Sequence, residues 1–213
     1  MFHNLIYYTD TPVVSPDFCN DLIHKFELDT EKHQGLTTSI GLDYTQMTDE
    51  QKQRSLSVKR STDLYITGRN KYELENSILF GATCKTLDEY ALLMEDDIQG
   101  RTFKLRTPHS RLSGFNLQRT SPGEYFHWHS DELIIDRWYR GISYIIYLND
   151  IHHDGYTEFY DGTIIQPKQG HVMMFPATWT YVHRGVPPVD ETKYICVGWW
   201  ETMSHVHYTP ETL

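Results

Sequence analysis

Apolar residues change their spacing near the middle of the chain. After Ser15, Pro16 and Asp17, the residues Phe18, Leu22, Ile23 and Phe26 recur at helical intervals. A hydroxyl cap, a proline at the first helical position and an acid in the first turn are the start signals of a helix. Leu79, Ala82, Thr86, Tyr90 and Leu93 repeat that spacing and predict a second helix over 72–94, weakened by Gly81. Residues 30–61 between them are polar, hold Gly35 and Gly41 and show little periodicity. They read as a long loop of the kind that forms lids and binding loops. From about Leu112 onward the pattern shortens. Runs rich in β-branched and aromatic residues (142–148, 156–160, 163–165, 171–175 and 194–199) alternate with turn signals at Asn149-Asp150, Asp161-Gly162, 168–170 and Pro187-Pro188. Many short strands at near-regular spacing predict a mainly β fold, a jelly roll with supporting α-helices. The expected organisation is one domain over 1–213: N-terminal helices with a lid loop over 1–110, the jelly-roll core over 111–201 and a tail over 202–213.

Composition narrows the partners. The 213 residues carry a formal charge of -10, which disfavours a nucleic acid bound through its phosphates. The N-terminus lacks a basic segment followed by a long apolar run, and no apolar run is long enough to span a bilayer, so no membrane association is expected. Cys19, Cys84 and Cys196 are odd in number and far apart, as expected of thiols in a reducing compartment. The cytoplasm is the expected location. The oligomeric state is not legible.

The strongest chemical signal lies in 126–131 (FHWHSD). In a strand, residues two apart project to the same face, so His129 and Asp131 can aim an imidazole and a carboxylate at one ion. A histidine from another strand would complete a three-ligand face, and His183 follows 54 residues later. Such a facial triad leaves open positions on an octahedral metal, as non-heme iron needs. Ten residues beyond, Lys193 offers a cation to a bound diacid. Each element alone is weak, because with 12 histidines an HxD pattern arises by chance.

In combination they carry a resemblance. The opening helix at 15–23, the segment 117–125 before the first ligands, Arg140 with the strand at 145–149, the DGYTEF stretch at 154–159 and the PKQG…FP stretch at 167–176 all occur in order. With His183 and Lys193 at the following positions, the sequence resembles the prolyl 4-hydroxylase-like family of 2-oxoglutarate/Fe(II)-dependent dioxygenases. The resemblance implies a double-stranded β-helix and Fe(II) held by His129, Asp131 and His183. It implies 2-oxoglutarate as cosubstrate, its distal carboxylate on Lys193 and the Tyr147 hydroxyl. It further implies O2 as the second cosubstrate, ascorbate as reductant, and hydroxylation of peptidyl proline with release of succinate and CO2. Arg140, Trp199 and Phe126 fall where the family places substrate-contacting side chains. The expected partner is therefore a proline-containing peptide or protein, neutral or basic given the acidic chain.

Departures and rivals are equally legible. The first glycine of the family's GGxTxF pattern is Asp154 here, and Phe126 stands where tyrosine is common. The alternatives are the same chemistry on a free amino acid or small metabolite, and a cupin-type metalloprotein that does not use 2-oxoglutarate. His127 would serve the cupin reading, but Glu132 lies too close to the second histidine for that pattern. His152 and His153 read as a solvated turn, His205 and His207 as a polar tail, and Trp199-Trp200 equally as core.

Overall fold

The computed structural model describes residues 5–37, 46–97 and 109–203. Three helices precede most of the strands: α1 (Pro16–Leu28), α2 (Asp49–Val58) and α3 (Glu73–Asp97). Thirteen strands are named in chain order: β1 (Tyr7–Tyr8), β2 (His33–Gln34), β3 (Thr62–Tyr65), β4 (Ser110–Leu112), β5 (Asn116–Thr120), β6 (Phe126–His129), β7 (Ile134–Ile135), β8 (Trp138–Tyr147), β9 (Thr157–Phe159), β10 (Ile164–Ile165), β11 (Val172–Pro176), β12 (His183–Gly185) and β13 (Lys193–Met203). They form two antiparallel sheets. The larger runs β1-β11-β8-β13-β5-β3-β2, with β4 on β13 and β7 on β8; the smaller runs β10-β9-β12-β6. This is the expected double-stranded β-helix.

The long apolar run at 142–148 is explained by burial on both faces. Tyr144, Ile146 and Leu148 join Leu22, Phe26, Leu79, Leu87 and Tyr90 in the core between the large sheet and the helices. Ile145 and Tyr147 point the opposite way and pack with Phe159, Met173, Phe175, Ile195 and Val197 between the sheets. β13 alternates in the same manner, with Cys196 toward the helices and Ile195 and Val197 toward the barrel interior.

Several boundaries differ from the sequence reading. Three strands contributed by residues before 66 enter the large sheet, so the jelly roll does not begin at 111. β1 pairs with β11, and β3 pairs with β5. β13 runs on to Met203, taking the first two residues assigned to the tail; His205 and His207 lie outside the described residues. Leu93, placed on the buried face of the second helix, is half exposed, whereas Leu87 is fully buried. Residues 30–61 are not one loop. They contain β2 and α2, and 38–45 lie outside the described residues. Thr48 caps α2 by accepting from the Gln51 N–H, while the Gln51 side chain accepts from the Thr48 N–H. Among the described residues no helix is long and apolar enough to cross a membrane.

Candidate metal centre and its cavity

Strand pairing brings the two histidines together. β6 and β12 are antiparallel neighbours in which His129 stands opposite His183, with ring centroids 4.2 Å apart. Each ring is turned by its own chain. Nδ1 of His129 lies 2.7 Å from the His127 carbonyl, and Nδ1 of His183 lies 3.0 Å from that of Tyr181. A carbonyl only accepts, so each Nδ1 carries a proton and Nε2 is the nitrogen that can offer a lone pair to a metal. Those Nε2 atoms face Asp131, at 3.6 Å from Oδ1 for His129 and 3.9 Å from Oδ2 for His183. The three side chains offer ligand atoms within 4.8 Å of one another.

Asp131 reaches this position differently from the sequence expectation. β6 ends at His129, so Asp131 is not on a strand face. It is held from β8, where the Ser143 hydroxyl donates to its Oδ2 at 2.7 Å. Burial raises the Asp131 pKa, but His183, His129 and the Ser143 hydrogen bond outweigh burial and hold it below the usual carboxylate value. Burial, then the neighbouring His183, push His129 down to about 3 against the pull of Asp131. A metal at this site would need both imidazoles neutral at Nε2 and the carboxylate ionised. The donor set, two nitrogens and one oxygen with each histidine tied back at its far nitrogen, fits Fe(II) in a facial triad.

The triad opens into a cavity of about 630 Å³. Lys193 and Thr157 line it. Lys193 is buried, and the ammonium donates to the Gly155 carbonyl at 2.8 Å. Among the described residues no charged partner offsets its burial. Burial therefore pushes its pKa down to about 8. A buried ammonium bonded to a carbonyl and lacking a counter-ion fits a cosubstrate that brings a carboxylate. Tyr147 is fully buried, with its hydroxyl 2.9 Å from Thr157 Oγ1. Thr157 is the member of that pair that lines the cavity. The DGYTEF departure is accommodated by conformation: Asp154 adopts φ 55° and Gly155 φ 62°. Asp tolerates that left-handed region better than most residues, and a Cβ on Gly155 would meet Ile151 Cγ2 at 2.7 Å.

The remaining candidates form the walls. The Arg140 guanidinium lies 3.4 Å from the Trp199 ring centroid, Nε of Arg140 is buried without a hydrogen-bond partner, and the Trp199 side chain is directed at the Asp131 carboxylate and helps to hold its pKa down. Phe126 stacks on His129 at 3.5 Å, its planes 7° apart. Trp200 is core, as is Cys196. His127 is exposed, stacks on Tyr125 and lies outside the ligand cluster. His152 and His153 are exposed and pair with Glu191 and Asp190.

Sequence reasoning missed a second polar wall. Lys59 and Asp63 form a buried ion pair at 2.7 Å, and both line the cavity. The Ser61 hydroxyl donates to Asp63 at 2.6 Å, and the amides of Asn116 and Gln118 donate to it at 3.1 and 3.3 Å. The signal was present as polar residues at alternate positions, Ser61 with Asp63 and Asn116 with Gln118 and Thr120, in segments that pair as core strands.

Comparison with known proteins agrees with this architecture. Residues 115–201, which hold the triad and Lys193, match the family model described as the 2OG-Fe(II) oxygenase superfamily. No curated protein sequence matches the chain. Among solved structures, the backbone is similar to the viral collagen prolyl hydroxylase of Paramecium Bursaria Chlorella virus-1 in its 2OG complex. That likeness has 16% identity and a TM-score of 0.64, and covers 94% of this chain and 97% of that one. It is similar to a Pseudomonas putida prolyl-4-hydroxylase, with 16% identity, a TM-score of 0.55 and 94% of each chain covered. It is also similar to a Trichoplax adhaerens prolyl hydroxylase in complex with a hypoxia inducible factor peptide fragment. Here identity is 11%, the TM-score 0.65, and coverage 92% of this chain and 83% of that one. The resemblance read from the sequence thus holds in family model and in fold.

Proposed function

We propose that this protein is an Fe(II)- and 2-oxoglutarate-dependent dioxygenase that hydroxylates proline in a peptide or protein. The observation that carries the reading is the convergence of His129 Nε2, His183 Nε2 and the Asp131 carboxylate, with both histidine Nδ1 atoms tied to backbone carbonyls. His129, Asp131 and His183 would hold the iron. Iron with 2-oxoglutarate and O2 supplies the oxidant that turns a C–H into a C–OH, while 2-oxoglutarate leaves as succinate and CO2.

The chain's own residues bind, orient and shield. Lys193, protonated, would pair with the distal carboxylate of 2-oxoglutarate, and Thr157, backed by Tyr147, would offer a hydroxyl beside it. Ser143 fixes the Asp131 carboxylate so that one oxygen faces each histidine Nε2. Phe126, flat against His129, would shield one side of a metal held there from water. The buried Arg140 Nε–H would donate to a substrate carbonyl, which supports a peptide as the occupant of that wall. The peptide bound by the Trichoplax relative and the collagen activity named for the viral one support proline as the target.

The test is mass spectrometry of a proline-peptide panel incubated with protein, Fe(II), 2-oxoglutarate and ascorbate. The expected result is a gain of about 16 Da, one oxygen atom, on proline, coupled to succinate formation. Turnover on free proline with none on any peptide would retain the oxygenase and remove the peptide substrate.

A further inference from the structure

The ion pair of Lys59 and Asp63 is absorbed neither by the metal nor by the cosubstrate. Removing two charges from water is expensive, and such a pair contributes little net stability against an apolar pair of similar size. Its position on a cavity wall gives it another use. The valences of the two partners are unequal. Asp63 accepts from Ser61 on Oδ1 and from Lys59, Asn116 and Gln118 on Oδ2. Three donors crowd Oδ2, and Oδ1 accepts from Ser61 and packs against Gly35, so Asp63 has little left to offer a ligand. Lys59 uses one of its three N–H groups on Asp63. The free valence of the pair is therefore mainly that of a donor, held in place by an acceptor engaged on both oxygens.

That donor stands near the reacting centre. The Lys59 ammonium lies 5.1 Å from the centroid of Phe126, and the same ring stacks on the metal-side His129. The charge of the lining points the same way. With Asp131 assigned to the iron and Lys193 to 2-oxoglutarate, Arg54, Lys59 and Arg140 face Asp63 and Glu132. The cavity retains an excess of positive charge although the chain carries -10. A desolvated ammonium with spare N–H groups is a good carboxylate partner. We propose that Lys59, oriented by Asp63, is a specificity-determining residue that binds a carboxylate of the substrate close to the hydroxylated position. The inference rests on the oxygenase reading above, and it replaces the neutral or basic peptide expected from overall charge.

The carboxylate has two sources, an acidic side chain beside the target proline or the substrate's own C-terminus. Calorimetric titration of protein loaded with Mn(II) and N-oxalylglycine, an unreactive 2-oxoglutarate analogue, separates them. The probes are capped Glu-Pro-Gly and Gly-Pro-Glu, their Gln counterparts, and Gly-Pro with a free or amidated C-terminus. At least one acid should bind about tenfold or more tighter than its amide, as a charge-assisted contact requires. Lys59→Met should bring that ratio to about one, and Lys59→Arg should restore it. Where Lys59→Met alone fails to fold because Asp63 is left without its cation, the double variant Lys59→Met/Asp63→Leu removes both charges and gives the same readout. Equal binding of every acid and amide by the native protein, or an acid preference that survives Lys59→Met, would overturn the proposal. Hydroxylation of the same peptides is scored separately. Acid preference without hydroxylation sinks the proline reading alone, and hydroxylation without acid preference sinks this one alone.

Discussion

Ser143 on β8 donates a 2.7 Å hydrogen bond to the carboxylate of Asp131, a residue that stands beyond the end of its own strand. Ser143 sits on an interior strand of the large sheet, between β11 and β13, and Asp131 follows the end of a small-sheet strand, so the position of one proposed metal ligand depends on how β8 lies against the chain after β6. Ser143→Ala should leave the ligand set intact and loosen its geometry. Fe(II) affinity is expected to fall about 10- to 100-fold, the usual cost of losing an outer partner of a ligand. Titration with Fe(II) under anaerobic conditions, compared with Ser143→Thr, checks this. Unchanged affinity in the alanine variant would place Ser143 outside the metal site.

Removing a ligand itself should be harsher. His129→Ala, Asp131→Ala and His183→Ala are each expected to abolish turnover and most Fe(II) binding, because three donors are the minimum for this arrangement. His127→Ala should retain the metal, since that ring is exposed and stacks on Tyr125. Iron lost in His127→Ala and kept in Asp131→Ala would exchange the assignment for a cupin-like one. Metal content by emission spectroscopy decides it.

What the sequence conveyed follows from how local each signal is. His129 and Asp131 were singled out because two residues share a short motif, and His183 because ordered blocks anchor its position; the structure brings their side chains together. The reason given for Asp131 was wrong in detail: the strand stops at His129, and a serine from β8 does the placing. That contact joins residues 12 apart through sheet register, which no periodicity carries. Lys59 and Asp63 were missed for the same reason, since a lysine after a polar segment reads as a solvated one. α2 was missed despite a legible signal. Thr48-Asp49-Glu50-Gln51 is a capping-box sequence, but the helix it opens buries only Ser55 and so lacks the apolar stripe that betrays a helix. The apolar run at 142–148 was assigned correctly to a strand because β-branched and aromatic residues fill both faces.

Lys193 makes a prediction about pH. Its folded pKa is about 8 against an ordinary 10.5, through burial. The unfolded chain therefore binds more protons than the folded one between those values, and stability should rise as pH climbs through that window. Below pH 8 the buried ammonium costs roughly 3 kcal/mol, the equivalent of the shift. Lys193→Met should accordingly raise Tm at pH 7 and raise the KM for 2-oxoglutarate strongly. In the native protein that KM should also rise above about pH 8 as the ammonium deprotonates. Lys193→Arg, which stays charged, should flatten the rise. Tyr147→Phe should raise KM only weakly, because Thr157 stands between its hydroxyl and the cavity. A pH-independent KM in the native protein would remove Lys193 from the cosubstrate.

α2 supplies the last prediction. Met47, Gln51, Arg54, Ser55 and Val58 line the cavity, so this helix forms part of its wall. Among the described residues its tethers are polar. Ser55 accepts from the Thr37 N–H at 3.2 Å, the Tyr125 hydroxyl donates to the Leu56 carbonyl at 3.1 Å, and Lys59 bridges to Phe126 at its end. A few hydrogen bonds at about 1 kcal/mol each, with almost no apolar burial, make a unit that opens far more readily than the core sheet. Amides of residues 52–58 should therefore exchange with solvent well before those of β8 and β13, and limited proteolysis should begin in this region. A peptide in the cavity would touch the same residues and should slow both. Tyr125→Phe, which removes one tether and leaves the metal ligands alone, should speed exchange in α2 without changing it in β13. Protection of α2 equal to that of the core strands in the free protein would make it a fixed wall and rule out its role as a moving cover.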